Sequence, residues 1–290
     1  MNGKTRALLF QYTVIFLLLT LSVFIYYFST IDQVNAHILN RERVPTLANT
    51  GYICRKNVFS PDEVKTLRKH CATNDFAILK KNLSLNRKLK NLISGELSND
   101  YVLQDYIFII KRSMVHTCHR DYNGDFFNPG QKNPSYTMII YLEDMEKCLS
   151  VLPVSHKSEN SYFFNFTKPL TDIRCGPGDV ILFNANLIHV GSFNSKDDNI
   201  RVQMKVSHKE DISTLSYYEN YNKVLNQENT LPEFVRRAQQ SLSCTFPGIA
   251  NLTQSENIRS SRNNDIGWFQ RVFSYLFYGK GDFYDLPNAL

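Results

Sequence analysis

The 290-residue chain is poor in the features that mark several protein classes. Twelve glycines and ten prolines are too few for a collagenous or low-complexity protein. No Cys-x-x-Cys pair occurs, which removes a zinc ribbon and a thioredoxin-type redox site. Charge of one sign is not in large excess: 33 Lys and Arg against 27 Asp and Glu leave +6, spread along the chain. Nothing in that balance argues for nucleic acid as a partner. What is abundant is apolar and aromatic, with 43% hydrophobic residues, 20 Phe and 16 Tyr. Such a composition supports a packed core, excludes wholesale disorder and suits β-strands.

Charge is missing altogether from Ala7 to Phe28. As a helix rising about 1.5 Å per residue, that run would cross the roughly 30 Å hydrocarbon layer of a bilayer. Lys4 and Arg6 precede it, and only Asp32 falls in the next dozen residues. The positive-inside rule then predicts a single-pass type II membrane protein, with its N-terminus cytosolic and its body in the secretory-pathway lumen or exterior. A cleaved signal peptide ending at Val34-Asn35-Ala36 is the competing reading. The run exceeds the usual h-region of about 7–15 residues, and a long polar stretch precedes Ala36, so an uncleaved anchor is favoured. A buried core helix is disfavoured because the run is apolar on every face. Acceptor patterns at Asn82-Leu83-Ser84, Asn165-Phe166-Thr167 and Asn251-Leu252-Thr253, with an even count of six cysteines, suit a glycoprotein in an oxidising lumen. The sequence does not choose among the possible cysteine pairings.

Beyond a polar stalk, Ser60-Pro61-Asp62-Glu63 predicts a helix start: an N-cap, a proline at the first helical position and a glutamate completing a capping box. This helix should run to about Cys71, and a basic helical stretch should follow at Ser84–Ser94. Strands are predicted at Tyr101–Met114, Tyr136–Leu142, Leu149–Leu152, Asp179–Phe183, Leu187–Val190 and Arg201–Ser207. Turn signals such as Asn133-Pro134 and Gly176-Pro177-Gly178 separate them. Leu231–Leu242 reads as helix. Trp268, Phe269, Val272, Phe273, Leu276 and Phe277 recur at helical spacing, predicting an amphipathic helix that packs on the domain, with membrane-surface contact as the alternative. The pattern is that of an α+β chain with a β-sandwich or jelly-roll centre.

His119-Arg120-Asp121 follows the long strand. In an extended segment residues two apart share a face, so His119 and Asp121 converge while Arg120 points away. An imidazole and a carboxylate so placed are two parts of the 2-His-1-carboxylate arrangement that binds Fe(II) and leaves positions open. Taken alone, His-x-Asp is a weak signal. His189 ends a short strand, and Arg201, twelve residues on, opens the next strand with a guanidinium suited to one end of a dicarboxylate. Pairing of adjacent antiparallel strands would bring Arg201 near His189.

Here the stretch Asp144–His208 resembles the phytanoyl-CoA dioxygenase family of Fe(II)/2-oxoglutarate oxygenases. Cys148-Leu149-Ser150-Val151-Leu152-Pro153-Val154-Ser155-His156-Lys157 resembles that family's GCL-V-PGSHK segment. Gly178-Asp179 through His189-Val190-Gly191-Ser192 resembles its GD-V-F…L-HGSG segment, and the lead-in from Gly51-Tyr52 to Leu67 is also similar. Val154 and Val190 stand where the family has glycine, and the spacing from His189 to Arg201 is one residue longer. The resemblance implies a double-stranded β-helix (jelly-roll, cupin-like) core with flanking helices, and His119, Asp121 and His189 as metal ligands. It places Arg201 as the 2-oxoglutarate arginine. The strand Thr137–Leu142 resembles one in prolyl hydroxylases where a tyrosine assists 2-oxoglutarate binding. Thr137 and Tyr141 share one face, so either could do this, and Tyr141 is preferred.

The implied chemistry is hydroxylation with Fe(II), 2-oxoglutarate and O₂, releasing succinate and CO₂, with ascorbate as a supporting reductant. Asp121 argues for hydroxylation over halogenation. The family implies a small-molecule or lipid substrate, while a lumenal body and the prolyl-hydroxylase-like strand leave a protein or glycan acceptor open. The implied organisation is a cytosolic N-terminus at 1–6, a transmembrane signal anchor at 7–28, a stalk at 29–50, the dioxygenase domain at 51–210 and a helical extension at 211–290. A non-catalytic jelly-roll binding protein is the alternative, against which the complete ligand set and Arg201 speak. A structural zinc site is disfavoured because two histidines and one aspartate leave a position open. Among the neighbours, alternation turns His116 and Cys118 away from the site. His156 is expected to make a structural hydrogen bond, Lys205 to be a solvated strand lysine rather than a second anion contact, and Arg120 to lie on the surface.

Overall fold

The computed structural model describes residues 5, 9–23, 44–111, 115–121, 131–157, 170–191, 199–214, 226, 229–246 and 268–281. Most of the expected stalk, the acceptor sites at Asn165 and Asn251, and much of the loops at 122–135 and 158–174 lie outside these residues; Asn82 is exposed on a helix.

Alternation along one strand sets the architecture. In β8 (Arg201–His208) Val202, Met204 and Val206 point to one side and Arg201, Gln203, Lys205 and Ser207 to the other, and all seven are buried. A strand covered on both faces lies between two layers of structure. β8 pairs antiparallel with β2 (Tyr101–Ile110) on one edge and β3 (Tyr136–Tyr141) on the other. With β1 (Tyr52–Arg55) and β6 (Val180–Asn184) the five strands run in the order β1-β6-β3-β8-β2. A second antiparallel sheet has the order β5-β4-β7, from β5 (Thr171–Cys175), β4 (Met145–Val151) and β7 (His189–Gly191). An isolated antiparallel bridge between His119 and His189 adds the segment 115–121 to its edge.

The apolar side of the first sheet packs under three helices. α2 (Pro61–Ala72) begins with the expected capping box: the Glu63 N–H donates to Ser60 Oγ, and the Ser60 N–H to Glu63 Oε2 at 2.6 Å. α3 (Phe76–Ser84) and α4 (Arg87–Glu96) follow. Their Leu67, Cys71, Leu79, Leu83, Leu89 and Ile93 join Met138, Ile140, Val202 and Met204 in one core cluster. Between the sheets a second cluster forms from Ile139, Tyr141, Ile181 and Phe183 of one sheet and Cys148, Leu149, Val151 and Ile173 of the other.

The helix expected at Ser84–Ser94 is displaced because Asn86 caps it, accepting from the N–H groups of Lys88 and Leu89, while Ser84 ends the preceding α3. α3, β1 and β5 were not anticipated. β1 is only four residues long, and β5 is an edge strand whose Thr171, Asp172 and Arg174 are exposed. At the C-terminal end α5 (Glu233–Thr245) and α6 (Trp268–Tyr278) are helical as expected. Tyr278 is buried, its hydroxyl 2.7 Å from Thr117 Oγ1, while Trp268, Tyr275 and Leu276 are exposed. The N-terminal apolar run forms a helix, α1, over 9–23. Among the described residues no helix is long and apolar enough to cross a membrane, and the rest of the run lies outside them.

The turn before β6 fixes the end of β3. Gly178 has φ +91°, and a Cβ there would lie 2.4 Å from the Phe59 carbonyl oxygen, so only glycine fits. Its N–H donates to the Tyr141 carbonyl at 2.8 Å, and the Tyr141 N–H to the Asp179 carbonyl at 3.0 Å. Asp179 accepts from the N–H groups of Gly176 (2.7 Å) and Asn57 (2.9 Å) and from Lys56 Nζ (2.8 Å). Burial pushes its carboxyl up, but these donors prevail and hold it below the usual range. Its contribution is therefore present above about pH 4 and lost as pH falls through the depressed pKa. Asp179→Ala should cost about 2–4 kcal/mol through two stranded backbone donors, seen as a lower urea midpoint at neutral pH with unchanged slope.

Candidate active site

The segment 115–121 carries two of the candidate side chains against β7. His119 and His189 exchange both backbone hydrogen bonds at 2.9 Å, and the Asp121 N–H donates to the Ala185 carbonyl at 2.8 Å. The extended backbone places His119 and Asp121 on one face, as the two-residue spacing requires. His119 Nε2 lies 3.6 Å and His189 Nε2 3.5 Å from Asp121 Oδ1. One donor atom from each residue falls within 4.8 Å of the others. Ligand bonds of about 2.0–2.2 Å meeting at right angles put donor atoms about 3 Å apart, so a divalent ion fits with small adjustments.

The second ring nitrogen of each histidine is already committed. His119 Nδ1 lies 2.7 Å from the Thr117 carbonyl oxygen, and His189 Nδ1 2.9 Å from that of Leu187. A carbonyl can only accept, so each Nδ1 carries the hydrogen and each Nε2 presents a lone pair to the centre. Burial brings the His189 pKa down to about 4 against the pull of Asp121, so the ring is neutral at physiological pH, the form that ligates. Phe183 packs on it with ring centroids 4.7 Å apart.

Asp121 is held from behind. Its Oδ2 accepts from Thr137 Oγ1 (2.5 Å) and Lys205 Nζ (2.6 Å), and Lys205 also reaches Thr137 Oγ1 at 2.7 Å. Oδ1 is thereby aimed at the histidines. Burial raises the carboxyl pKa, but the Lys205 ammonium overcomes it and holds Asp121 well below the usual range. Lys205 is thus buried and ion-paired, not solvated as its exposed-strand reading had it. Thr137 is engaged by Asp121, which separates it from Tyr141.

Tyr141 pairs with Arg201 across β3 and β8, as Thr137 pairs with Lys205 four residues away. Arg201 donates to the Asn199 carbonyl at 3.0 Å, and among the described residues no carboxylate is within ion-pair distance. The Tyr141 hydroxyl is fully buried and has no hydrogen-bond partner among the described residues. Burial pushes the Tyr141 pKa well above its ordinary value despite the nearby guanidinium, so it remains a donor phenol. Both face the cavity that His119, Asp121 and His189 line, together with Gln203, Ile110 and Val115. Arg201 comes to this cavity from the opposite sheet, not from a strand beside β7, because β8 is flanked by β2 and β3.

Of the neighbours, His116 faces away, its Nε2 2.9 Å from Gln239 Oε1, and Cys118 turns its sulfur to Cys244 while its N–H donates to Ser243 Oγ. His156 bonds the Ala48 backbone, and burial lowers its pKa to about 4. Arg120 is buried, not on the surface: its Nη1 donates to the Ser155 carbonyl at 2.6 Å and to that of Asn186. Gln203 and the Lys205–Thr137 support were missed. The signal was the polar alternation of β8, which reads equally well as a solvent face.

Residues 85–202 match the phytanoyl-CoA dioxygenase (PhyH) family. The chain carries a PhyH domain. All of His119, Asp121, Thr137, Tyr141, His189 and Arg201 fall inside the match, and the domain is of the Fe/2-oxoglutarate-dependent oxygenase kind. No curated protein matches the chain. Similar solved structures include HygX from Streptomyces hygroscopicus with nickel and 2-oxoglutarate bound, at 18% identity and TM-score 0.45, covering 56% of this chain and 84% of that one. EvdO2 from Micromonospora carbonacea var. aurantiaca has 13% identity and TM-score 0.43, covering 56% and 88%. The epimerase SnoN, in complex with Fe3+, alpha ketoglutarate and nogalamycin RO, has 16% identity and TM-score 0.45, covering 56% and 80%.

Thr137→Val removes the hydroxyl that aligns Asp121 while keeping the strand packed. Affinity for Co(II), followed by visible absorption, should fall by about ten-fold or more with little change in Tm.

Proposed function

We propose that this chain is an Fe(II)- and 2-oxoglutarate-dependent dioxygenase that hydroxylates a small-molecule or lipid substrate and releases succinate and CO₂. The observation that carries the reading is the convergence of two pre-set Nε2 lone pairs and one Asp121 oxygen beside a buried Arg201 that has no counter-charge among the described residues. A buried guanidinium without a counter-charge is costly, so a cavity that contains one is built to be completed by an anion. A dicarboxylate satisfies it: the distal carboxylate takes the fork of Arg201 and a bond from the orphaned Tyr141 hydroxyl. Its oxo-acid end would then reach toward the three ligands, which leave adjacent coordination positions open.

His119, Asp121 and His189 would hold iron, which would supply the redox chemistry that couples O₂ to decarboxylation of 2-oxoglutarate and hydroxylation of a C–H bond. The chain's own groups bind and orient. Lys205 and Thr137 keep Asp121 ionised with Oδ1 forward, and the carbonyls of Thr117 and Leu187 keep both rings turned. Ile110, Val115, Ile139 and Leu149 wall the cavity and favour an apolar part of the substrate. Presence of Asp121 suits hydroxylation.

The same proposal takes 51–210 as a jelly-roll catalytic domain and 211–290 as a helical extension. It takes 7–28 as a signal anchor that leaves the body on the lumenal side. The described part of that run supports an apolar surrounding: Leu9, Phe10, Ile15, Phe16 and Leu19 are all exposed. Thr13, Thr20 and Ser22 turn their hydroxyls onto carbonyls four residues back at 2.8 Å, which satisfies them without water.

The test is succinate formation by the full chain in detergent with Fe(II), ascorbate and 2-oxoglutarate. His119→Ala should abolish it; undiminished succinate from that variant would end the reading. Tyr141→Phe should raise KM for 2-oxoglutarate about ten-fold and Arg201→Ala about 100-fold or more, each with a smaller effect on kcat at saturation.

A further inference from the structure

The sulfurs of the six cysteines are not equivalently placed. Cys71 is buried in the outer core, where burial pushes its thiol up to about 12. Cys54 and Cys175 lie with sulfurs 3.7 Å apart, an ordinary contact, and the Cys148 sulfur accepts the Cys175 N–H at 2.7 Å. Cys118 and Cys244 differ: their sulfurs are 2.6 Å apart. Unbonded heavy atoms rest at roughly 3.5–4.0 Å, whereas a disulfide closes to about 2.05 Å, so this pair stands nearer the bond than the contact.

The surroundings hold the pair in register. Cys118 sits immediately before His119, and its N–H donates to Ser243 Oγ on α5 at 2.9 Å. One turn earlier on α5, Gln240 Nε2 donates to the Gly191 carbonyl at the end of β7 (3.2 Å), and Gln239 meets His116 at 2.9 Å. α5 therefore already braces both strands that present the histidines. Cys118 is fully buried, while Cys244 is half-buried at the outer side.

We propose that Cys118 and Cys244 form a disulfide that fastens α5 to the strand bearing His119 and Asp121. The difference in exposure sets the order of events with a small disulfide such as oxidised glutathione. The Cys244 thiolate attacks one glutathione sulfur, the glutathione S–S bond breaks, and a mixed disulfide forms at Cys244 with release of one glutathione thiolate. The Cys118 sulfur then attacks that of Cys244 and expels the second glutathione. Two protein thiols are oxidised, one glutathione disulfide is reduced to two thiols, and the two protons from the cysteines end on the glutathione sulfurs. The bond would close a loop running from 118 to 244 that contains His119, Asp121, His189 and Arg201, restricting the unfolded chain around the whole site. This inference stands on the sulfur geometry and does not rest on the iron reading.

The full chain, purified in detergent and equilibrated with a reduced/oxidised glutathione buffer at an ER-like poise, is digested without reduction and mapped by mass spectrometry. The expected product joins the Cys118 peptide to the Cys244 peptide. Dithiothreitol should then lower Tm by about 5–10 °C in the parent chain, and Cys244→Ser should lose both the cross-link and most of that response. Recovery of Cys118 and Cys244 as free, alkylatable thiols after oxidation, or either joined to another cysteine, overturns the proposal. So does a reductant response in Cys244→Ser as large as the parent's. Peptide mapping of the parent decides the matter even where the variant does not fold.

Discussion

The Asp121 carboxylate is the constraint on which the site turns, because its two oxygens are asked to do different things. Oδ2 is fixed by an ammonium and a hydroxyl from the five-stranded sheet, while Oδ1 faces two imidazoles carried by the other sheet. A carboxylate rotates freely about its terminal torsion, so without the first grip the second has no defined direction. The Asp121–Lys205 contact is also the place where the two sheets are joined by charge as well as by apolar packing. Lys205 is buried beside Thr137 on the interior face, and removing either charge would leave the other stranded in a low-dielectric interior. Site geometry and sheet-on-sheet packing are therefore a single problem.

β8 solves it through alternation. Its odd-numbered residues give the interior a row of Arg201, Gln203, Lys205 and Ser207, and its even-numbered residues give the helices an apolar face. The two cations on that row have opposite fates. Lys205 has its counter-ion in the chain, whereas Arg201, about 13 Å along the strand, has none among the described residues. A buried cation without a counter-charge is costly, and the hydroxyl of Tyr141 directly across the strand pair also has no hydrogen-bond partner among the described residues. A buried guanidinium beside a buried phenol suits an anionic group that also accepts a hydrogen bond.

The sequence made part of this legible. The two-residue spacing of His119 and Asp121 specified their shared face, and Ser60-Pro61-Asp62-Glu63 announced α2 through capping chemistry that depends on four adjacent residues. Local rules succeed where the determinant is local. They fail for Lys205 and Arg120, because whether a polar strand residue meets water or another sheet is decided by segments far away in the chain. The approach of Arg201 was misjudged for the same reason: strand neighbours in sequence, β7 and β8, belong to different sheets. β5 escaped notice because an edge strand with one side in solvent carries too few apolar residues to be distinguished from a loop.

The C-terminal helices extend the same logic outward. The segment 115–121 is an edge of the smaller sheet, joined to it by a single bridge, and a bare edge is a poor platform for two side chains that must hold position. α5 and α6 cover it from behind: Ser243 takes the Cys118 N–H, Gln239 takes His116, and Tyr278 meets Thr117. Two of these contacts engage His116 and Cys118, which alternation along 115–121 turns away from the cavity and toward the brace. Thr117 belongs to both: its carbonyl turns the His119 ring and its hydroxyl is held by α6. Displacement of the helical tail would thus reach the imidazole through one residue, which makes the tail a working part of the site's geometry.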